Sequence, residues 1–319
     1  MKHAFFYPLT KALCFLAFTA IIATSCKKFN TGPGKPKTIY ETISCDAQFS
    51  FLTAAVNKAG LVDALNAKGK TDLTLFAPTN DAFKAAGFSK LSDLAAIPDS
   101  TLTAILLYHV LGSKVEADDV PQASNTAVTT LNGQPLYATR TSDGKVFVNG
   151  VSVIKANIEC TNGVIHAINR VLMPATGTIV QTAIGNPNLS LLVAAVLRAS
   201  QGTTDVATVL SSAGPFTVFA PTNQAFMNAG FADANAINAA DPNTLTTILT
   251  YHVIAGRIFS SDLTDGEMPA TVNGETVTIK LTSGAQVMGK SNSSPSNIII
   301  TDIVTTNGVV HVIDQVLLP

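Results

Sequence analysis

The sequence predicts an α+β protein built from two tandem copies of one domain, each with its helices packed on antiparallel sheet. Three observations carry this. Leu75-Phe76-Ala77-Pro78-Thr79-Asn80-Asp81-Ala82-Phe83 returns as Val218-Phe219-Ala220-Pro221-Thr222-Asn223-Gln224-Ala225-Phe226, Tyr108-His109-Val110 as Tyr251-His252-Val253, and Asn162-Gly163-Val164-Ile165-His166 as Asn307-Gly308-Val309-Val310-His311. The order is kept, and each motif recurs after about 140 residues, a common domain size and too long for a solenoid repeat of roughly 20–50 residues. Within each copy, helix-period segments come first and β-prone runs follow, the pattern of helices segregated onto antiparallel sheet.

In the first copy Phe51, Leu52, Ala55, Val56 and Ala59 recur at helical spacing after the polar start Ser44-Cys45-Asp46, where a cap is expected; Leu191, Leu192, Ala195, Val196 and Ala199 match them. A short apolar strand, Leu73 to Ala77, is stopped by Pro78, as its counterpart is by Pro221. Thr79 and Asn80, like Thr222 and Asn223, are N-cap residue types, and the brief helix that follows closes at Gly87. A third helix starts near Pro98-Asp99-Ser100 with Leu102, Ile105, Leu106 and His109 on one face; its partner starts near Asp241-Pro242-Asn243 with Leu245, Ile248, Leu249 and His252. Asn132-Gly133 and Asn273-Gly274 read as hairpin turns between short strands. Those strands are Leu136 to Arg140, Val146 to Val148, Val151 to Ile154 and Val164 to Leu172, then Val277 to Leu281, Ile298 to Ile300 and Val309 to Leu317.

The N-terminus has its own signature. Basic residues and the apolar run Ala12 to Ile22 precede Ala23-Thr24-Ser25-Cys26, a signal peptide over residues 1–25 whose end resembles a bacterial lipobox, with Ala23 where Leu is usual. On that reading Cys26 is lipidated and residues 26–37, rich in Gly, Pro and Lys, form a flexible tether. An ordinary signal peptide with Cys26 incidental is the alternative. The two domains then occupy residues 38–174 and 175–319. Cys45 and Cys160 both lie in the first copy, and both are replaced in the second, by Gly185 and Thr305. Their joint loss suits a disulfide in an exported compartment; two buried thiols are the alternative, since spacing alone shows no approach of their Cα atoms.

These motifs, in this order, resemble the fasciclin or FAS1 domain family, over about residues 38–174 and 177–319. The resemblance implies an extracellular adhesion or matrix-interaction module, each domain an antiparallel β-sandwich or wedge with several packed helices, with no general catalytic activity. It also implies contact roles for the Tyr-His region, here Tyr108, His109, Tyr251 and His252, and for an Asp-Ile pair before the closing Asn-Gly. Asp302-Ile303 stands at that place in the second copy, but the first has Asn157-Ile158.

Read from the residues themselves, Tyr108 and Tyr251 suit either an interface or a core. His109, His166, His252 and His311 fall where an apolar core is expected, and none has a second ligand at metal spacing, so structural roles are expected and no metal. Asn80, Asn223, Asn162 and Asn307 read as cap and turn residues. Gly284 to Ser291 spells a P-loop, but a loop follows it where a helix is needed. There is no Gly-x-Ser-x-Gly, no Cys-x-x-Cys and no acid pair that both copies keep, so neither catalysis nor a cofactor is expected. A net charge of −1, 13% charged residues and no Trp argue against a nucleic-acid partner.

The expected protein is lipid-anchored in the bacterial cell envelope, at the outer membrane, with its face open. It would mediate adhesion to a surface protein or polysaccharide. The alternative is an envelope lipoprotein that holds a small molecule or glycan at the domain junction; a hydrolase is the third possibility.

Overall fold

The computed structural model describes residues 37–67 and 72–319. The expected signal peptide, Cys26 and the tether up to residue 36 lie outside the described residues. The first domain opens with helices α1 (Ile39–Cys45), α2 (Ser50–Lys58) and α3 (Val62–Asn66), then strand β1 (Leu73–Pro78) and helices α4 (Asn80–Ala85) and α5 (Asp99–Tyr108). Strands β2 (Val110–Leu111), β3 (Thr126–Thr129), β4 (Pro135–Arg140), β5 (Val146–Val148), β6 (Val151–Cys160) and β7 (Gly163–Ile168) complete it. The second repeats the plan: α6 (Ile179–Ile184), α7 (Ser190–Ala199), α8 (Val206–Ser211), β8 (Phe216–Pro221), α9 (Asn223–Asn228), α10 (Ala234–Ala239) and α11 (Pro242–Tyr251). Its remaining strands are β9 (Val253–Ala255), β10 (Thr278–Lys280), β11 (Gln286–Met288), β12 (Ser296–Thr305) and β13 (Gly308–Ile313).

The α+β class is as expected, with one pairing that the sequence pattern did not disclose. The strand orders are β2-β1-β7-β6-β5-β4-β3 and β10-β11-β12-β13-β8-β9, so the first long strand of each domain lies beside the last. That central pair is parallel, Leu73↔Gly163 to Pro78↔Ile168 and Phe216↔Gly308 to Pro221↔Ile313; the other ladders are antiparallel. Being central, β1 and β7 are buried along their whole length, which is why they read as continuous apolar runs.

Alternation along these strands feeds two cores. Leu73, Leu75 and Ala77 of β1, with Ile165 and Ala167 of β7, pack under α2, α4 and α5 against Leu52, Phe83 and Leu102. Phe76 and Ile168 point the other way, into a core closed by Tyr108, Leu136 and Val148 as the sheet curls over. The second domain divides in the same way: Val218, Ala220, Val310 and Val312 face the helices, and Phe219 and Ile313 face Tyr251, Val277 and Val287.

Helices α1 and α6 are too short for an apolar period to show. Each is started by a capping box, Thr38 with Glu41 and Thr178 with Gln181. The P-loop spelling is occupied by β11, Gln286–Met288, and the turn after it, so no phosphate cradle forms there. Among the described residues no helix is long and apolar enough to cross a membrane.

Candidate functional site

The repeated motifs converge on the centre of each domain, where they are consumed by the scaffold. His109 and His252 are the C-caps of α5 and α11. In each ring Nε2 accepts from a backbone N–H, Leu172 at 2.9 Å or Leu317 at 2.8 Å, so Nδ1 carries the proton and donates to the carbonyl of Ile105 or Ile248, both at 2.8 Å. Burial pushes both imidazoles down to about 4, and they are neutral near pH 7. Tyr108 donates to Pro135 O at 3.0 Å and accepts from Asn149 Nδ2 at 2.8 Å, while burial pushes its phenol up to about 12. Tyr251 likewise donates to Thr276 O and accepts from Lys290 N. Both tyrosines are 0% exposed and both histidines 1%, so the four lie in the core position read for the histidines and do not offer the contact surface that the resemblance implies.

His166 and His311 stack on Phe76 and Phe219 with ring centroids 5.6 and 5.7 Å apart. Here Nδ1 accepts from the backbone N–H of Asn157 or Asp302, and Nε2 donates to Val115 O or Ile258 O, both at 2.9 Å. Burial lowers both imidazoles.

Asn162 accepts from Ile39 N at 2.9 Å and donates to Leu65 O at 3.0 Å; Asn307 does the same to Ile179 N and Leu210 O. Each therefore staples the first helix of its domain to the closing hairpin. The glycine that follows has no alternative. A Cβ on Gly163 would fall 1.9 Å from Leu73 O, and one on Gly308 2.1 Å from Phe216 O. Thr79 and Thr222 cap α4 and α9. Asn80 and Asn223 do something else: their Oδ1 atoms accept from Phe51 N and Leu191 N, capping the preceding helices α2 and α7 at a distance.

Of the two readings open for Cys45 and Cys160, the disulfide is not formed. Cys160 carries a free thiol whose Sγ lies 3.4 Å from Thr42 Oγ1, while Cys45 sits exposed at the last position of α1. The residue of α1 turned toward β6 is Thr42.

The Asp302-Ile303 pair lies where the domains meet. Asp302 occupies a bulge of β12 with φ +64°, and its carboxylate accepts from Ser260 N at 2.6 Å and Ser260 Oγ at 2.5 Å. Across the junction Arg170 Nη1 approaches its Oδ2 to 3.3 Å and also donates to Thr301 Oγ1 at 3.1 Å. The carboxylate is 1% exposed and rests against Gly150, where a Cβ would fall 2.7 Å from Asp302 Cγ. A second cluster adds to the contact. Arg257 lies 4.1 Å over the Tyr137 ring, Tyr137 packs on Phe259 at 6.1 Å, and Asn125 Nδ2 donates to Arg257 O at 2.7 Å. Between the first cluster and α6 is a cavity of about 280 Å³ lined by both domains, Arg170, Asn149 and Val151 on one side and Thr182, Thr301 and Ile303 on the other. Asp302 is thus an internal clasp, and Ile303 is half-buried at the cavity wall.

Arg170, Ser260, Arg257, Tyr137 and Phe259 were not singled out from the sequence. Their counterparts in the other copy are Gln315, Ala117, Lys114, Thr278 and Glu116. The available signal was the difference between the copies, not their agreement. Among the described residues no group of three or more His, Cys, Asp or Glu is placed to hold a metal ion.

Residues 47–174 and 188–319 each match the Fasciclin domain. A segment of 139 residues, 43% of this chain, is 42% identical to Protein sll1483 of Synechocystis sp. and covers 73% of it. Transforming growth factor-beta-induced protein ig-h3 of Sus scrofa is 29% identical over 79% of this chain, and periostin of Homo sapiens is 30% identical over 79%. Those matches take up 35% and 29% of the two animal proteins, so the chain spans about a third of their length. A solved FAS1 domain pair from the insect cell adhesion molecule fasciclin I aligns over 84% of this chain and 96% of its own, at 20% identity and a TM-score of 0.40.

Proposed function

Since the chain belongs to the Fasciclin domain family, we propose that it is an adhesion-type protein of the cell envelope, lipid-anchored at Cys26 and outside the cytoplasm. It meets a surface protein or polysaccharide through exposed faces of its two domains. The observation that carries the reading is the fate of the shared motif residues. Tyr108, His109, Tyr251 and His252 are buried and committed to backbone partners, which leaves the outer faces for recognition. The Arg170–Asp302–Ser260 clasp supports joint presentation of the two domains, and two linked contacts raise avidity when both reach the partner. No reaction is part of this proposal, because both ring nitrogens of His109 and of His252 are already engaged.

Cells carrying the full chain are expected to be retained on surfaces coated with matrix protein or envelope polysaccharide, and cells lacking it to wash off. Equal retention would overturn the adhesion role. Labelling with a palmitate analogue is expected to mark the native chain and not Cys26→Ser; label on both would remove the anchor. A second reading, a small ligand held at the domain junction, is favoured by the cavity that both domains line.

A further inference from the structure

The junction cavity has three properties that together specify a ligand chemistry. The first is an available hydrogen-bonding fork. Nη1 of Arg170 is engaged by Thr301 and Asp302, no other hydrogen bond of the guanidinium occurs among the described residues, and the side chain is 42% exposed. The second is electrical neutrality. The Arg170 charge is opposed by the buried Asp302 carboxylate, itself capped by the Ser260 N–H and hydroxyl, so an ion entering the cavity meets no net opposite charge to offset its desolvation.

The third is a pair of hydroxyl groups left without partners. Thr182 Oγ1, on the cavity wall, and Thr305 Oγ1 are both buried and make no hydrogen bond. Their counterparts in the first domain are Thr42 and Cys160, which contact each other at 3.4 Å, and Thr42 Oγ1 also donates to Thr38 O at 2.8 Å. The same fold therefore satisfies this spot in one domain and leaves it open in the other, beside the cavity. Buried polar groups are normally paired, and an orphaned one calls for a missing partner. Thr182 lines the cavity, and a staggered step about χ1, which carries the hydroxyl to the place of the methyl or of the Cβ hydrogen, re-aims that hydroxyl.

Resting on the second reading above, we propose that the junction cavity binds a small neutral polyol of the monosaccharide class. Its hydroxyls accept from the free edge of Arg170 and pair with Thr182, and its C–H face lies on the aliphatic wall of Val151, Leu172 and Ile303.

The test titrates the full chain with glucose, galactose, mannose, N-acetylglucosamine and glucuronic acid, followed by saturation-transfer NMR and calorimetry, alongside Thr182→Val and Arg170→Gln. At least one neutral sugar is expected to bind, with affinity falling about tenfold in each variant. Thr182→Val keeps the side-chain shape, so its melting temperature is expected to hold or rise while affinity falls, which separates recognition from folding. A neutral sugar that binds equally well to both variants sits elsewhere and overturns the proposal. Binding of glucuronic acid alone, lost in both variants, overturns the ligand class and leaves the junction site standing. If no sugar binds and no member of a fragment library perturbs Thr182 or Arg170, the site and the second reading fall together.

Discussion

At the bulge of its long penultimate strand each domain holds one residue in the left-handed region, Asn157 at φ +55° and Asp302 at φ +64°. In the first domain Asn157 Oδ1 accepts from Ala117 N at 2.9 Å, and the bond is local. In the second the equivalent backbone donor is Ser260 N, but the added charge lets Asp302 also take the Ser260 hydroxyl and reach Arg170 of the other domain. The seam between the first helix of each domain and the longer one after it, α1 with α2 and α6 with α7, differs in the same sense. Tyr40 Oη donates to Asn57 Oδ1 at 2.8 Å across the first domain, whereas Val180 and Leu197 stand at those places in the second. There the seam keeps an apolar cavity of about 80 Å³, with Ile184 and Leu197 63% and 59% exposed at its edge. Duplication thus preserved the residues that close each domain and released those that face outward or toward the sister domain.

The largest effects are expected where the domains are alike. Gly163→Ala and Gly308→Ala force a Cβ into backbone oxygen, and each should cost about 4 kcal/mol or more in urea unfolding. A large loss in one domain and a small one in the other would break the equivalence. His109→Ala and His252→Ala each orphan a buried backbone N–H and open a void, at about 3 kcal/mol in thermal or urea unfolding.

The same histidines predict a pH profile. Their folded values, about 4, lie below the ordinary 6.5, so the unfolded chain binds more protons in between. Stability is complete above pH 6.5, falls as the pH drops toward 4 by about 3 kcal/mol per histidine, and is flat with respect to these groups below that. Urea titrations at pH 7, 5.5 and 4.5 measure it; stability that rose on acidification would contradict neutral buried rings.

Asp302→Asn installs the first domain's residue in the second. It should cost about 2 kcal/mol and separate the two domains' calorimetric transitions, while Asn157→Asp stays within about 0.5 kcal/mol. Smallest is the seam exchange. Val180→Tyr with Leu197→Asn should shift stability by less than about 1 kcal/mol and reduce binding of an apolar fluorescent dye. Unchanged dye binding would show that the exposed apolar area lies elsewhere.

Much of the fold was legible because the motifs occur twice. The Asn-Gly turns, the Thr caps and the helix carrying Leu102, Ile105 and Leu106 all appear where the local pattern puts them. The parallel pairing of β1 with β7 was not legible, since register between strands far apart in sequence leaves no local mark; the unbroken apolar run was its only trace. Of the site, His109 was legible as an interior residue from its place on an apolar helix face, whereas Tyr108 was not, because a tyrosine there suits a core and a contact surface alike. Arg170 and Ser260 were invisible to a reading based on agreement between copies, since a junction between unlike neighbours is written in residues that do not repeat.

The staple at Asn162 has a mechanical consequence. Thr161 N donates to Lys37 O at 2.8 Å and Asn162 Oδ1 accepts from Ile39 N, so the chain enters the first domain beside the start of β7 and leaves past its far end. Tension along the polypeptide therefore crosses these bonds into the strand at the centre of the sheet, held lengthwise by a neighbour on each side. The helices that precede it are spared until the staple gives way, and Gly177 O with Thr306 N and Ile179 N with Asn307 repeat the arrangement in the second domain.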